Sequence, residues 1–297
     1  MNLGRAQELA AWQQDLARAG YIAEPGLVAT LMLMQDLERP LLLEGDAGVG
    51  KTEVAKVLAT MRDTRLIRLQ CYEGLDAHAA MYEWNYQRQL LAIKLLEHDE
   101  RGIAQKEQDI FSDRYLLKRP LLEAITCEKP PVLLIDEVDR ADEAFEAYLL
   151  ELLSDFQLSI PELGTVRAIS RPLVVITSNG TRELSDALRR RCLYQYIDYP
   201  DYDKELAIVR AKAPGVPAAL AAQIVAFVQS ARHMELQKKP GIAETLDWAA
   251  ALLRLGISVI DKDGAEGIMQ TLSALIKTRD DRVAFTREVV ARLAAAC

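Results

Sequence analysis

The sequence predicts an α/β protein in which helices flank a parallel β-sheet and a small all-helical domain follows. Short apolar runs typical of buried strands alternate with helical patterns between Leu41 and Tyr199, which favours a parallel sheet. A glycine-rich stretch joins the first of these runs to a helix. After Pro200 helical patterns dominate and no clear strand remains. We therefore predict an α/β domain at 1–200 and a helical domain at 201–297.

Composition limits the classes of function. The chain has 297 residues, half of them apolar and 27% charged, as in ordinary globular proteins. Its net charge of −8 disfavours a nucleic-acid partner, because duplex-binding proteins usually carry a basic surface. We find no apolar run long enough to span a bilayer and no signal peptide. We therefore expect a cytoplasmic protein with no membrane span.

The first 40 residues predict two helices. Residues 3–19 have helical periodicity, Gly20 interrupts it, and a second helix runs from Pro25 to about residue 37. Tyr21 and Ile22 lie between these helices, where a chain can cover a purine base or contribute to an ordinary core. Both interpretations stay open.

The apolar strand Leu41–Leu43 leads into the stretch on which the functional prediction depends. Gly45 and Gly50-Lys51-Thr52 match the phosphate-binding P-loop pattern G-x-x-x-x-G-K-[ST] in full. Glycines allow successive backbone N–H groups to face one phosphate chain, and the following helix offers its positive N-terminus to the same anion. We expect Lys51 to reach the β- and γ-phosphates and the Thr52 hydroxyl to bind Mg²⁺. The predicted nucleotide-binding residues are Gly45, Asp46, Ala47, Gly48, Val49, Gly50, Lys51, Thr52, Glu53 and Asp136.

A long polar segment follows the second predicted strand, Arg65–Leu69. Within it, Met81–Glu97 has helical periodicity, with one face formed by Tyr82, Tyr86, Leu90 and Ile93. His98–Arg114 is charged and has little periodicity, which predicts an exposed loop. Leu121–Cys127 is predicted to be helical again.

Two acids end the next buried strand, Val132–Ile135. Asp136 suits the carboxylate that holds Mg²⁺ through water in P-loop enzymes. Glu137 can polarise a water molecule against the γ-phosphate. A nucleotide switch needs only the first acid, so the second favours ATP hydrolysis. The alternative is that both acids stabilise the N-terminus of the next helix.

The rest of the predicted α/β domain begins with a helix at Asp142–Ser154. A hairpin over residues 156–169 follows, and then a strand that ends in Asn179. Asn179 can orient the attacking water or contact the γ-phosphate, or it can be a turn or cap residue. A short helix at Ser185–Arg191 and a strand at Tyr194–Tyr199 complete the domain.

Three consecutive arginines, Arg189, Arg190 and Arg191, form a basic cluster in an acidic chain. Three adjacent side chains cannot all face one way on a helix. One that reached the γ-phosphate of a neighbouring subunit would act as an arginine finger. The alternative is a solvated or salt-bridged cluster.

Taken in order, these motifs resemble those of an AAA+ ATPase. The P-loop is Gly45–Thr52, the Walker B strand is Val132–Glu137, and the sensor-1 strand ends in Thr177-Ser178-Asn179. The segment Asp186–Arg191 resembles the arginine-finger helix, and a helical lid follows. The resemblance extends over essentially the whole chain.

Two insertions are similar to those of the MoxR branch of this family. The segment 71–117 corresponds to a helix-2 insert, and the hairpin near 156–170 to a pre-sensor-1 hairpin. The amino-acid sequences of residues 82–86, 116–122 and 241–248 resemble those of the CoxD-like subgroup. Members of that subgroup are associated with maturation of molybdenum-containing carbon monoxide dehydrogenase-type enzymes.

The resemblance implies a homo-oligomeric ring, usually a hexamer, that binds ATP and Mg²⁺ between subunits. It also implies a partner with a von Willebrand factor A domain and a client metalloenzyme. Its motifs assign Lys51 to phosphate, Thr52 and Asp136 to Mg²⁺, and Glu137 to water activation. They assign Asn179 to sensor 1 and the finger to Arg191, with Arg190 second.

One family position departs from the pattern. Many AAA+ lids carry a sensor-2 arginine at the start of a lid helix, but Ile242–Thr245 contains none. Arg254 is a candidate substitute, or the lid couples to the γ-phosphate differently.

We therefore predict an ATP-driven remodeller, an Mg²⁺-dependent ATPase whose ring changes the conformation of a metalloenzyme or similar client. Two other functions compete with this prediction. A ring-shaped nucleic-acid translocase or helicase would use Arg167 and Arg171 on the hairpin to line a pore. A non-catalytic module would use ATP only for assembly, which Lys51, Glu137 and a finger-like arginine disfavour.

Overall fold

The computed structural model describes residues 3–95, 102–261 and 264–297. Two compact units share the chain, and each is made of separate segments. The first, here called the sheet unit, comprises Pro25–Glu44 and Ala55–Gln195. The second, here called the lid unit, comprises Met1–Glu24, Gly45–Val54 and Tyr196–Cys297. The predicted boundary near residue 200 stays a prediction.

Nine strands occur in the described residues: β1 (Leu41–Glu44), β2 (Leu66–Gln70), β3 (Tyr82–Trp84), β4 (Leu116–Lys118), β5 (Val132–Asp136), β6 (Gln157–Ile160), β7 (Gly164–Arg167), β8 (Leu173–Ser178) and β9 (Leu193–Tyr196). The α-helices up to the last strand are α1 (Leu3–Arg18), α2 (Pro25–Asp36), α3 (Lys51–Met61), α4 (Ala77–Met81), α5 (Tyr86–Leu95), α6 (Ile103–Ile110), α7 (Pro120–Thr126), α8 (Glu143–Asp155) and α9 (Asp186–Arg191). The remaining α-helices are α10 (Tyr202–Lys212), α11 (Ala218–Arg232), α12 (Ile242–Arg254), α13 (Ala265–Leu275), α14 (Arg279–Ala284) and α15 (Arg287–Ala295).

The main sheet has five strands in the order β2-β5-β8-β1-β9. The pairs β2–β5, β5–β8 and β8–β1 are parallel, which confirms the predicted α/β fold with a parallel sheet. Every residue of β5 is buried, as expected for a central strand covered on both faces. Because parallel strands end at the same edge, Glu44, Asp136 and Ser178 share the carboxyl edge of the sheet. This is the edge where α/β proteins bind ligands.

The predicted hairpin before β8 is confirmed. Strands β6 and β7 pair antiparallel, from Gln157 opposite Arg167 to Ile160 opposite Gly164. The turn ends at Gly164, whose φ of +77° suits glycine. Arg171 lies beyond the end of β7, so its predicted place on the hairpin is wrong.

The insert differs from its prediction. Tyr82 lies in β3, not on the predicted helix, because Tyr82 and Trp84 alternate with the exposed Glu83 and pair with β4. The Asn85 side chain accepts a hydrogen bond from the Arg88 amide, and α5 begins between these residues. The other three residues of the predicted helical face lie on α5 and are exposed, namely Tyr86, Leu90 and Ile93.

The predicted loop at His98–Arg114 is wrong where α6 forms, and it also contains the start of a short 3₁₀ helix, Asp113–Tyr115. Its first residues, 98–101, lie outside the described residues. The helix escaped the sequence pattern because its short apolar periodicity is interrupted by charged and amide side chains.

The C-terminal part of the lid unit is helical from α10 to α15, as predicted. Its core is centred on Trp248, which is fully buried, with its ring centroid 4.8 Å from that of Phe227. The indole N–H donates to the Thr271 hydroxyl at 2.8 Å, which satisfies the buried donor. In the described ranges, none of the helices has both the length and the apolar character to cross a membrane.

Candidate functional site

The P-loop backbone has the left-handed geometry that its glycines permit. Gly45, Gly48 and Gly50 have φ angles of +155°, +83° and +96°. A Cβ atom on Gly45 would lie only 2.1 Å from the carbonyl oxygen of Ile197. Glycine at position 45 is therefore required both by backbone conformation and by close packing.

The Lys51 side chain crosses the loop that precedes it. Its ammonium donates to the carbonyl oxygens of Gly45 and Asp46, both at 2.7 Å, and the residue is only 7% exposed. Thr52 and Glu53 follow in the first turn of α3. The Glu53 carboxylate pairs with Lys212 Nζ at 3.0 Å, so it has a protein partner within the lid unit.

The start of α12 contacts the tip of the P-loop. The amide of Ile242 donates to the carbonyl oxygen of Gly48 at 3.0 Å. The adjacent Gly241 approaches so closely that a Cβ atom on it would lie 2.8 Å from Gly48 Cα. The Gly241 amide donates to Glu244 Oε2 at 3.0 Å, which caps the helix. The start of α12, which lacks a sensor-2 arginine, thus contacts the P-loop through backbone atoms.

Two tyrosines of the lid unit have raised pKa values. Burial raises the pKa of Tyr21, and the nearby carboxylates of Glu24 and Glu53 raise it further. Burial and the Asp46 carboxylate raise the pKa of Tyr199 to about 12, against the opposing effect of Arg232. Both phenols are therefore neutral at physiological pH. The choice between a purine cover and a core role for Tyr21 stays open.

Asp136, the last residue of β5, and Glu137, which follows it, both form hydrogen bonds with one hydroxyl group. Thr177, in β8, donates its hydroxyl proton to Asp136 Oδ1, and its oxygen accepts the Glu137 amide at 2.9 Å. Asp136 is 3% exposed and Thr177 is 1% exposed. Glu137 has a left-handed backbone, with φ 54° and ψ 51°, which is uncommon outside glycine and costs free energy. The neighbouring strand thus holds this turn in place.

Arginines contact both acids. Arg68, in β2, donates to Asp136 Oδ2 at 2.6 Å and to Gln70 Oε1 at the same distance. Arg140 Nε lies 3.3 Å from Glu137 Oε2. The side chains of Arg68 and Arg140 are more than half exposed. The two carboxylates therefore have different partners, and their orientations are separately restrained.

Asp139 holds the turn that contains the predicted sensor residue. Its Oδ1 accepts the Asn179 amide at 3.2 Å, and its Oδ2 accepts the amide and hydroxyl of Thr181 at 3.0 and 2.6 Å. Burial works to raise the pKa of Asp139, but these hydrogen bonds outweigh it and hold the pKa below its ordinary value. An ionised Asp139 therefore anchors the Asn179 backbone at the end of β8.

Helix α9, which carries the three consecutive arginines, is anchored at its start by Glu146. This buried carboxylate accepts from Arg182 Nη2 at 2.5 Å and from the Ser185 amide at 2.9 Å. The Ser185 hydroxyl accepts the Leu188 amide at 3.3 Å and caps the helix. At the other end, Arg39 donates to the carbonyl oxygens of Arg190, Arg191 and Cys192.

The three consecutive arginines have different environments, as three adjacent helical positions require. Arg189 pairs with Glu44, the last residue of β1, at 3.2 Å. Arg191 donates to the Ser154 hydroxyl and, at 3.2 Å, to the Ala187 carbonyl oxygen. Arg190 is exposed. The choice between Arg191 and Arg190 as the finger stays a prediction.

Thr177, Arg68 and Asp139 contact predicted site residues but have no individual role among the predictions from sequence. The sequence signal for Thr177 is a polar residue near the end of an otherwise apolar strand. Asp139 was readable as a third acid shortly after Asp136 and Glu137. Arg68 offered no signal, because its contact with Asp136 depends on strand order.

A family model and known proteins match this chain. Residues 40–192, a little over half of the chain, match the AAA domain of the dynein-related subfamily. An uncharacterized protein of Staphylococcus haemolyticus is 26% identical over 260 residues, which cover 85% of this chain and 88% of that protein. An uncharacterized protein of Staphylococcus aureus is 26% identical over 227 residues, which cover 74% of this chain and 78% of that protein.

Similar solved structures include RuvB of Thermotoga maritima. A point mutant of that protein is 19% identical, with a TM-score of 0.47 over 91% of this chain and 72% of the mutant. A structure of the RuvB Holliday junction branch migration motor from the same organism is 18% identical, with a TM-score of 0.44 over 91% and 71%.

AAA+ domains in general bind nucleotide, typically with Mg²⁺, hydrolyse ATP and commonly assemble into rings. The positive φ angles of the P-loop glycines and the buried acid at the end of β5 are consistent with the match to the AAA domain. The chain belongs to the AAA family, with its AAA domain in the dynein-related subfamily.

Proposed function

We propose that this protein is an Mg²⁺-dependent ATPase that uses ATP hydrolysis to remodel or mature a client protein complex. The observation that carries the catalytic part is the Thr177 hydroxyl, which links Asp136 and Glu137. One residue thereby fixes a candidate metal ligand and a candidate general base relative to each other. A protein that only binds nucleotide has no need of the second acid.

Each residue has a distinct proposed role. Lys51 and the N–H groups of the P-loop bind the phosphates. Glu137 takes a proton from the attacking water, and Asn179 orients that water or contacts the γ-phosphate. Arg191, or in second place Arg190, reaches the nucleotide of a neighbouring subunit and stabilises transition-state charge.

The residues assigned to Mg²⁺ have the donor chemistry that this ion prefers. Asp136 and Thr52 supply oxygen atoms, and Mg²⁺ binds oxygen ligands while keeping several waters. Asp136 Oδ1 is already oriented by Thr177. When bound, Mg²⁺ would neutralise charge on the phosphates. Arg68 balances the buried charge of Asp136 at its other oxygen.

The catalytic proposal is tested with Glu137→Gln. We expect ATP binding to persist while turnover falls by about 10²–10⁴-fold, since general-base catalysis is lost. Glu143→Gln is the matched control, because Glu143 is an exposed acid in the first turn of α8. Phosphate release and equilibrium ATP binding are measured on the same preparations. Wild-type turnover in Glu137→Gln would show that Glu137 is not the general base.

We further propose a MoxR-type remodeller with a hexameric ring, a von Willebrand factor A domain partner and a molybdenum-containing client. Support comes from the resemblance of residues 82–86, 116–122 and 241–248 to the CoxD-like subgroup. It also comes from two features inside the AAA domain, the β3–β4 insert and the β6–β7 hairpin. Each forms a two-stranded sheet separate from the five-stranded sheet.

A trapping experiment tests the client. Tagged Glu137→Gln protein, held with ATP and Mg²⁺ in extract of its source cell, should retain its partners because hydrolysis is blocked. Mass spectrometry should identify a von Willebrand-type protein and a molybdenum enzyme. Recovery of nuclease-sensitive nucleic acid would instead favour the translocase, for which the exposed Arg167 on β7 is the remaining hairpin candidate.

A further inference from the structure

The contact between α12 and the P-loop uses one end of a single peptide group. The carbonyl of Gly48 accepts the Ile242 amide at 3.0 Å. The N–H of the same peptide belongs to Val49, and in a planar trans peptide the N–H points away from the C=O. P-loop N–H groups cradle the phosphates of a bound nucleotide. The Gly48–Val49 peptide can therefore serve the lid helix with its oxygen and a phosphate with its hydrogen.

Two glycines make this contact possible. A Cβ atom on Gly241 would lie 2.8 Å from Gly48 Cα, 2.8 Å from Gly48 O and 2.9 Å from Gly48 C. Those atoms are backbone, so a side chain could not be accommodated by a rotamer change. Glu244 holds the Gly241 amide at 3.0 Å and so fixes the first turn of α12 against the loop.

A buried ion pair stands behind this turn. Arg232, the last residue of α11, donates two hydrogen bonds to Glu205 of α10, at 2.6 and 2.7 Å. The Arg232 Nε–H donates to the carbonyl oxygen of Pro240 at 2.7 Å. Glu205 is fully buried and Arg232 is 6% exposed. The pair thus fixes the peptide immediately before Gly241.

Thr245 completes the arrangement from within α12. Its hydroxyl lies 2.8 Å from Glu205 Oε1 and 3.0 Å from the carbonyl oxygen of Gly241. Gln229 adds a further hydrogen bond to Glu205 at 2.7 Å. Helices α10 and α11 therefore determine where α12 begins. The buried pair resists rearrangement, because separating Glu205 from Arg232 would leave an uncompensated buried charge.

We propose that the Gly48–Val49 peptide couples the lid helix α12 to the bound nucleotide, with Glu205, Arg232 and Thr245 as positioning residues. The inference rests on the proposed nucleotide binding by the P-loop. A phosphate at the Val49 N–H polarises the peptide and strengthens its carbonyl as an acceptor for Ile242. Nucleotide then stabilises the seated α12, and by reciprocity a seated α12 raises nucleotide affinity.

The first test uses Gly241→Ala, with Gly215→Ala as control. A Cβ atom on Gly215 meets only Leu253 Cδ1, at 4.0 Å, so this lid variant is tolerated. We expect Mg²⁺-ATP to slow amide hydrogen exchange over residues 241–247 in the wild type and in Gly215→Ala. In Gly241→Ala this protection should be lost and ATP affinity should fall by about 5- to 150-fold, the usual range for coupling between sites.

A second pair of variants leaves the glycines intact. Thr245→Val removes the hydroxyl that contacts Glu205, and Thr245→Ser retains it. We expect the rise in Tm caused by Mg²⁺-ATP to shrink in Thr245→Val and to return in Thr245→Ser. A purely structural role would lower the Tm of the free and ATP-bound protein equally, leaving the rise unchanged.

The outcomes separate this inference from the proposed function. If the wild type fails to bind ATP, the proposed function is wrong and the coupling falls with it. If the wild type binds ATP but Gly241→Ala keeps both affinity and protection, only the coupling is wrong. If Gly241→Ala does not fold, an unchanged ATP-induced rise in Tm in Thr245→Val overturns the coupling independently.

Discussion

Thr177 donates its hydroxyl proton to Asp136 Oδ1 across the β5–β8 strand pair. The same oxygen accepts the Glu137 amide at 2.9 Å, where the backbone is left-handed. A single buried threonine therefore sets the positions of two acids with different proposed roles.

Replacing Thr177 with valine should impair catalysis more than binding. The variant keeps the side-chain shape but leaves the Glu137 amide without its acceptor, which costs about 1–3 kcal/mol of folding free energy. Turnover should fall by about 10–100-fold, the usual effect of losing an outer-shell partner. Thr177→Ser retains the hydroxyl and is the control. Steady-state ATPase assays and urea unfolding measure both effects, and equal turnover in the valine and serine variants would contradict the assignment.

Acid should reveal the contribution of Asp139 to stability. Its folded-state pKa is lowered, so its stabilising contribution is full above the unfolded value of about 3.9 and is lost as pH falls through the folded value. Asp139→Asn removes this titration. We therefore expect the wild type to lose more free energy of unfolding than the variant as pH falls from about 5 towards 3.

Urea unfolding at several pH values measures this difference. Asp155→Asn, at the exposed end of α8, matches the change in net charge. Parallel acid dependence in the wild type and Asp139→Asn would show that the Asn179–Thr181 turn does not depend on an ionised Asp139.

Gly45→Ala should abolish P-loop function. Its Cβ atom would lie 2.1 Å from the Ile197 carbonyl oxygen, and its φ of +155° is unfavourable for alanine. Backbone strain alone costs about 1–3 kcal/mol. Gly26→Ala is the control, because Gly26 lies in the first turn of α2 and its Cβ atom would meet nothing within 4 Å. Thermal unfolding and ATP titration should separate the two variants, and wild-type affinity in Gly45→Ala would refute the steric argument.

Mixtures of two variants should test the proposed ring and its proposed finger arginine. Glu137→Gln and Arg191→Ala should each have low turnover alone. A mixture should recover activity, because an intact Glu137 from one subunit meets an intact Arg191 from its neighbour. Arg190→Ala and Arg189→Ala are mixed in the same way. Recovery with Arg190 instead would reassign the finger, whereas loss in Arg189→Ala without recovery fits its pairing with Glu44 inside one chain.

Local patterns predicted the α/β class, the parallel strands and the hairpin, because apolar runs and turn residues can be recognised within short segments of sequence. The sequence also predicted the glycine-rich loop and the place of Asp136 at the end of a buried strand, because both depend on spacing along the chain. The insert was predicted less well. Tyr86, Leu90 and Ile93 have helical spacing, yet they are exposed on α5, and periodicity alone does not show what covers a face.

The sequence by itself determined where the loop before Lys51 can bend tightly, because Gly45, Gly48 and Gly50 can adopt the positive φ angles found there. Only the tertiary structure decided what supports this loop and Asp136. Arg68 reaches Asp136 from 68 positions away because β2 lies beside β5. Gly241 reaches Gly48 because buried charges on α10 and α11 fix the start of α12. Such contacts depend on which elements become neighbours, and strand order and helix packing are not encoded in local spacing.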